Sequence, residues 1–308
     1  QSEYNLVLSV DPVDENKLII GGVRLFRSRD GGSTFNVIAG NVHSDWHSAV
    51  FDPADSRRIV ATCDGGIFQS TDGGSSWRTL NNGISATQFY PGIAVHPTNP
   101  AVVVGGTQDI GSMMSGGSLF WSGVGYGDGG YAMIDYTNPN TVLVSWQGGQ
   151  LGRLDVNARS LTYIPPRFNF QAPFITPFAI DPLVPRTLWA GTRAIERSQD
   201  LGATWVQFSP TVQNEINAIA IGKGAPNVIF GGTTAGFIFW TPNGGTNWFG
   251  GTAVQRPVTD IVGDPNDSRR FAITHGGFGP SKILITADAG TNFANLTGNL
   301  PDVPVNAF

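Results

Sequence analysis

A short apolar strand ending in an Asp-Pro-like turn recurs at Asp11, Asp52, His96, Asp135, Asp181, Gly222 and Asp264, at intervals of 39 to 46 residues. A period this long and this constant is the strongest constraint on the fold. Each copy must be one supersecondary unit that buries its apolar faces against its neighbours. The units read alike: an apolar strand, the turn, a second strand such as "RRIVATC" or "RTLWAGT", a glycine-containing loop, a third strand, a polar turn and a fourth strand. Four short strands per unit is the content of one propeller blade. Strands covered on both faces lose strict alternation of apolar and polar residues, and these strands have lost it.

The expected fold is therefore all-β, a seven-bladed β-propeller. A single domain over 1–308 divides into blades at approximately 1–42, 43–86, 87–126, 127–171, 172–213, 214–255 and 256–303. The closing residues 304–308 read either as an extra strand that closes the ring or as the start of a further blade. Eight blades, or a fragment of a longer propeller chain, is the alternative, and Gln1 in place of an initiator Met suggests a processed piece of a longer product.

Composition agrees with many tight turns and aromatic packing: 41 Gly, 20 Pro and 8 Trp with only 13% charged residues, which argues against helical bundles. A net charge of −5 gives no basis for nucleic-acid binding. No apolar run approaches the ~18 residues of a membrane helix, so no membrane insertion is expected. Cys63 is the only cysteine, which rules out an intrachain disulfide, and its β-branched surroundings suit a small buried hydrophobe. Scarce lysine with abundant Gly, Asn and Thr suggests an extracellular or cell-surface location. Asn295 begins one "NLT" glycosylation sequon.

The turn between the third and fourth strands is a second recurring feature. It reads "SRDGGSTF", "STDGGSSW", "SQDLGATW", "TPNGGTNW" and "TADAGTNF", with Asp30, Asp72, Asp200, Asn243 and Asp288 at the acidic position. Units three and four lack it, although "RLDVNARSLTY" around Asp155 has the look of a decayed copy. A structural role is expected: the Asp accepts backbone hydrogen bonds of its own turn, Gly permits positive φ, and the aromatic packs between sheets.

These turns resemble the Asp-box, or BNR repeat. Together with "HSDWHSAVFDP", "LNNGISATQFYPGIAVHPTNP", "GGTQDIG" and "GDGGYAMIDYTNPNTV" they make the whole chain similar to exported bacterial Asp-box propeller proteins. That family is related in fold to sortilin-type, xyloglucanase and sialidase propellers. The resemblance implies a propeller and little about activity. A sialidase reading is set aside, because the early Phe-Arg-Ile-Pro stretch common in sialidases is absent.

Propeller geometry directs the search for a site to the channel-mouth face, where the loops before the first strand and between strands two and three converge. Two columns emerge when the units are aligned on the Asp-Pro position. Seven residues before it stand Tyr4, Asp45, Phe89, Asp128, Phe174, Glu215 and Pro257; twelve after it stand Val23, Asp64, Gln108, Gln147, Arg193, Thr234 and Gly276. Asp109 and His275 are one residue away. Asp45, Asp128 and Glu215 are candidate catalytic acids, since glycoside hydrolysis needs two carboxyls ~5–10 Å apart. His43, His47, Asp64, Gln108, Asp109, Gln147 and Arg193 are candidate ligand contacts.

In "HSDWH", alternation places His43, Asp45 and His47 on one side of a strand, with Asp64 nearby. Three readings stay open: a hydrogen-bonded network, contacts to a non-metal ligand, or a site for a divalent metal such as zinc or manganese. No other cofactor is implied. Trp46, Tyr90, Tyr126, Trp146 and Phe168 could stack on sugars, and "RSLTYIPPRFNFQAPF", with Pro165 and Pro166, is either a cover over the mouth or an ordinary long loop. The expected function is recognition or scaffolding of a glycan, a protein partner or other domains of a longer chain. A glycoside hydrolase acting through rim carboxylates is the alternative.

Overall fold

The computed structural model describes residues 4–84, 86–164, 167–223 and 227–307. All its strands lie in seven four-stranded antiparallel sheets, each a meander in chain order, and there is no helix among the described residues. The chain is an all-β propeller. Its blades run from Val7–Val10 to Asn36–Ile38, Trp46–Asp52 to Arg78–Thr79, Ala94–Val95 to Trp121–Gly123, Gly129–Ile134 to Ser160–Ile164, Phe178–Ile180 to Val206–Gln207, Ile216–Ile221 to Phe249–Thr252, and Val258–Gly263 to Ala294–Asn295. They gather into two compact units, residues 1–87 with blades one and two, and residues 88–308 with blades three to seven.

Within each unit the first strand of a blade packs against the first strand of the next. The apolar clusters sit between blades, as the doubly apolar strands require. Val7, Ile19 and Leu25 of blade one bury against Trp46 and Ile59 of blade two. Phe230 and Ile238 of blade six do the same against Phe271 and Ile273 of blade seven. Each such side chain contributes roughly 1.5–3 kcal/mol on burial, so the blades are held by mutual coverage.

The Asp-Pro turns are Asx turns. Asp11, Asp52, Asp135, Asp181 and Asp264 each accept a hydrogen bond from the backbone N–H two residues on, at 2.8–3.0 Å. His96 does the same through Nδ1. The recurring acid is thus a local device that starts the second strand.

The turn between strands three and four closes in the same way wherever the Ser/Thr-x-Asp pattern occurs. In blade one Thr34 donates to Asp30 from its hydroxyl at 2.6 Å and its backbone N–H at 2.8 Å, while Ser28 donates at 2.8 Å. The buried Ser28 hydroxyl in turn accepts from Gly32 N–H at 2.9 Å. Blades two and five repeat the arrangement around Asp72 and Asp200. In blade seven the Asn292 amide replaces the hydroxyl and donates to Asp288 at 2.7 Å. In blade six Asn243 holds the acidic position and still accepts from Asn247 N–H at 2.9 Å.

The glycine four residues after the Ser or Thr lies against the preceding blade in blades two, five, six and seven. A Cβ at Gly74 would come within 2.9 Å of Ile38, at Gly202 within 2.8 Å of Leu151, at Gly245 within 3.0 Å of Phe208, and at Gly290 within 2.4 Å of Trp240. Blade four has no such turn. Asp155 pairs with Ser160 across a hairpin of residues 156–159, and Asp155 accepts from Ala158 N–H at 2.9 Å. The described closing residues, 304–307, form no strand, and Val305 C=O accepts from Thr259 Oγ1 at 2.6 Å.

The Thr34 hydroxyl and backbone N–H, with Ser28, hold the Asp30 carboxyl down at about 2. The Ser76 and Asn292 contacts lower Asp72 and Asp288 as well. A carboxyl whose folded value lies below its unfolded one adds stability that is fully present above about pH 4 and lost as pH falls toward the folded value. Urea unfolding should therefore show stability falling between pH 4 and pH 2. Asp30→Asn should flatten that decline, since Asn243 already serves the same turn without titrating.

Candidate functional site

The two sequence columns are hydrogen-bonded neighbours. The second-column N–H donates to the first-column carbonyl in Asp64 to Asp45 at 3.2 Å, Gln147 to Asp128 at 3.1 Å, Thr234 to Glu215 at 3.0 Å and Gly276 to Pro257 at 2.9 Å. Blades two, four, six and seven therefore set one residue of each column side by side at their mouth ends. What those side chains do differs from blade to blade.

In blade two the first strand begins at Trp46, so Asp45 lies just outside it and His47 inside. Asp45 has φ +64, and a bulge separates Trp46 from Ser48. Period two consequently fails here, and His43, Asp45 and His47 are not aligned on one side of a strand. Their partners diverge. Asp45 accepts from Asn5 Nδ2 at 2.8 Å and from Ser44 Oγ at 2.9 Å. His43 Nδ1 sits 3.1 Å from Ser44 C=O. His47 Nε2 lies 2.5 Å from Asp64 Oδ1, whose other oxygen accepts from Tyr4 OH at 2.9 Å. Tyr4 also meets the His47 ring edge-on at 5.1 Å. No group of three His, Cys, Asp or Glu among the described residues converges to hold a metal ion.

Blade four shows the same pattern. Asp128 accepts from the backbone N–H of Asp109 at 3.1 Å, and Gln147 Oε1 accepts from Asp128 N–H at 2.9 Å. Asp109, like Asp45, has φ +64. The Gln108 N–H donates to Gln88 C=O at 3.0 Å. Asp45 and Asp128 thus each accept from a loop of the preceding blade, Asp45 also from Ser44 of its own. Glu215 is exposed beside Thr234, and Arg193 Nε donates to Val212 C=O at 3.3 Å. The one-off neighbour His275 is wholly buried, and desolvation with the Arg256 charge pulls its imidazole down to about 4. It is a neutral core residue at pH 7.

The proposed sugar-stacking aromatics are mostly packed. Trp46 is 1% exposed, and Tyr90, Trp146 and Phe168 are half-buried, whereas Tyr126 is 68% exposed. Trp46 is claimed by Phe68 and Trp77, and Phe168 by Phe178 and Trp205. Of the long stretch leading into blade five, Pro165 and Pro166 lie outside the described residues.

A cleft that the sequence columns do not mark lies beside blade six. Blade five's outer strand is only Val206–Gln207, and the chain leaves it along residues 209–214. Residues 210–214 form one wall of a cleft of about 510 Å³. Phe237, Phe239 and Trp248 form its aromatic floor, with Phe237 and Phe239 stacked at 6.1 Å and Phe239 and Trp248 at 5.7 Å. Thr211, Gln213, Asn214 and Thr252 bring exposed hydroxyls and amides to its margin. No residue lining it is ionisable. Alternation of Phe237 and Phe239 along "GFIFW" is the sequence signal for one apolar face. Nothing in the sequence shows that blade five's outer strand stops short beside it.

No protein-family model matches this chain, and no curated protein matches it. Solved structures do. The chain is similar to YCF48 bound to a D1 peptide, at 17% identity over 92% of this chain and 93% of that one, with a TM-score of 0.45. It is also similar to the GH74 xyloglucanase from Xanthomonas campestris, at 15% identity over 98% of this chain and 62% of that one, TM-score 0.41. A third is Sqt1 from Saccharomyces cerevisiae, at 13% identity over 94% and 83%, TM-score 0.49.

Asp45 distinguishes a structural from a catalytic acid. Asn tolerates positive φ, can still accept from Asn5 through its Oδ1 and can donate from its amide to the Ser44 hydroxyl, whereas Ala can do none of these well. In urea unfolding Asp45→Asn should stay within ~0.5 kcal/mol of the parent, and Asp45→Ala should lose roughly 1–3 kcal/mol.

Proposed function

We propose that this chain is an exported recognition module that binds a neutral glycan in the cleft beside blade six. The observation that carries the reading is the lining: an aromatic floor with amides and hydroxyls at its margin and no ionisable group. Apolar faces of sugar rings pack on aromatic rings, and their hydroxyls exchange hydrogen bonds with Gln, Asn and Thr side chains. A charged ligand would find no counter-ion there. The same lining lacks the carboxyl pair that glycoside hydrolysis requires. At the blade mouths, Asp45 accepts from Asn5 of blade one and from Ser44, and Asp128 accepts from Asp109 N–H of blade three, which favours binding without turnover.

Affinity electrophoresis through gels containing neutral plant and bacterial polysaccharides tests this, alongside a reducing-end assay. At least one polysaccharide should retard the protein. Phe237→Ala and the Gln213→Ala/Asn214→Ala pair should each weaken binding about tenfold, which is about 1.4 kcal/mol, and no new reducing ends should form. Retardation that survives both changes would defeat the proposal. So would reducing ends that disappear in Asp128→Asn or Glu215→Gln.

A further inference from the structure

In blades two, five, six and seven the turn glycine, Gly74, Gly202, Gly245 or Gly290, closes the wedge over the preceding blade. Blade four has the hairpin of residues 156–159 instead, and the wedge between it and blade three stands open. A cavity of about 570 Å³ lies between Ser122–Gly123 of blade three and Leu154, Val156 and Leu161 of blade four. Through Met114 and Val156 it adjoins a second cavity of about 480 Å³ at the Asp-Pro end of the two blades. Here blade four brings no turn aromatic, whereas Trp77, Trp205, Trp248 and Phe293 of blades two, five, six and seven pack in their core clusters.

Two further features border the opening. Blade three's outer strand, Trp121–Gly123, is exposed along its length and pairs on one side only, with Gly111–Gly116. Arg159 is the one charged residue lining the larger cavity, and it has no hydrogen-bond or ion-pair partner among the described residues. It sits in the hairpin with φ +51.

We propose that this groove docks an extended peptide segment of a partner protein. The segment adds a strand to Trp121–Gly123, places an aromatic side chain in the wedge and offers a carboxylate to Arg159. Each requirement answers one observation. An unpaired strand edge recruits main chain. A wedge without its turn aromatic accepts a ring, and an unpaired guanidinium binds a carboxylate through paired N–H donors. The groove is separate from the cleft beside blade six, and neither proposal depends on the other.

Fluorescein-labelled eight-residue peptides test this, each with one Trp and one Asp two, three or four positions apart, read by fluorescence polarisation. At least one should bind the parent protein. Its counterpart with Asn for Asp should bind about tenfold more weakly. Arg159→Gln should erase that difference, Val156→Trp should fill the wedge and abolish binding, and Phe237→Ala should leave binding unchanged. Thermal unfolding of Arg159→Gln, a surface change, should match the parent. The proposal fails if no peptide binds more tightly than about 1 mM, or if binding ignores both Arg159→Gln and Val156→Trp. A parent that sediments as a dimer dissociated by Val156→Trp would assign the groove to a second copy. Polysaccharide retardation lost in Val156→Trp would assign it to a glycan. Either result overturns the peptide.

Discussion

The contact between a turn glycine and the blade before it is what the architecture depends on. A four-stranded meander cannot bury both of its faces alone, so each blade is stable only against a neighbour. The Ser/Thr-x-Asp turn fixes how close that neighbour comes. Its carboxylate or amide ties the loop through backbone donors, the buried hydroxyl locks the N–H of the glycine four residues on, and the missing Cβ admits Ile38, Leu151, Phe208 or Trp240. The turn aromatic then completes the apolar contact, as Trp248 does on Phe208 and Phe293 does on Trp240.

The same constraint explains where the molecule is open. Between blades three and four the turn is missing and a groove remains. Beside blade six the turn is present, and the chain leaving blade five's outer strand along residues 210–214 walls a cleft that carries Phe237 and Phe239. The first opening follows from a local departure in a repeating scaffold. The acids at the blade mouths have a different part. Asp45, Asp64 and Asp128 accept hydrogen bonds from side chains and backbone around them, which makes them elements of loop architecture.

Much of this was legible in the chain. The Asp-Pro period reflects an Asx turn in every blade that carries Asp there, and the two aligned columns correspond to backbone hydrogen bonds such as Gln147 to Asp128. The sequence could not reveal the bulge after Trp46 or the positive φ at Asp45, because nothing in "HSDWH" distinguishes a regular strand from one displaced by a residue. Alternation therefore misplaced His43 and His47. Exposure was likewise hidden. Trp46 and Tyr126 look equally available as letters, yet one packs between blades and the other faces solvent. The cleft beside blade six depends on where a neighbouring strand ends, a fact about two segments at once that neither segment states.

Comparison of two glycine substitutions in blades six and seven tests the account most directly. Gly290 has φ +95 and no room for a Cβ beside the Trp240 ring, whereas Gly251 has nothing within 4 Å of its Cβ position. Equilibrium unfolding should show Gly290→Ala losing roughly 2–4 kcal/mol and Gly251→Ala within about 0.5 kcal/mol of the parent. Equal, small effects at both sites would contradict the claim that the turn glycine sets the spacing of the blades.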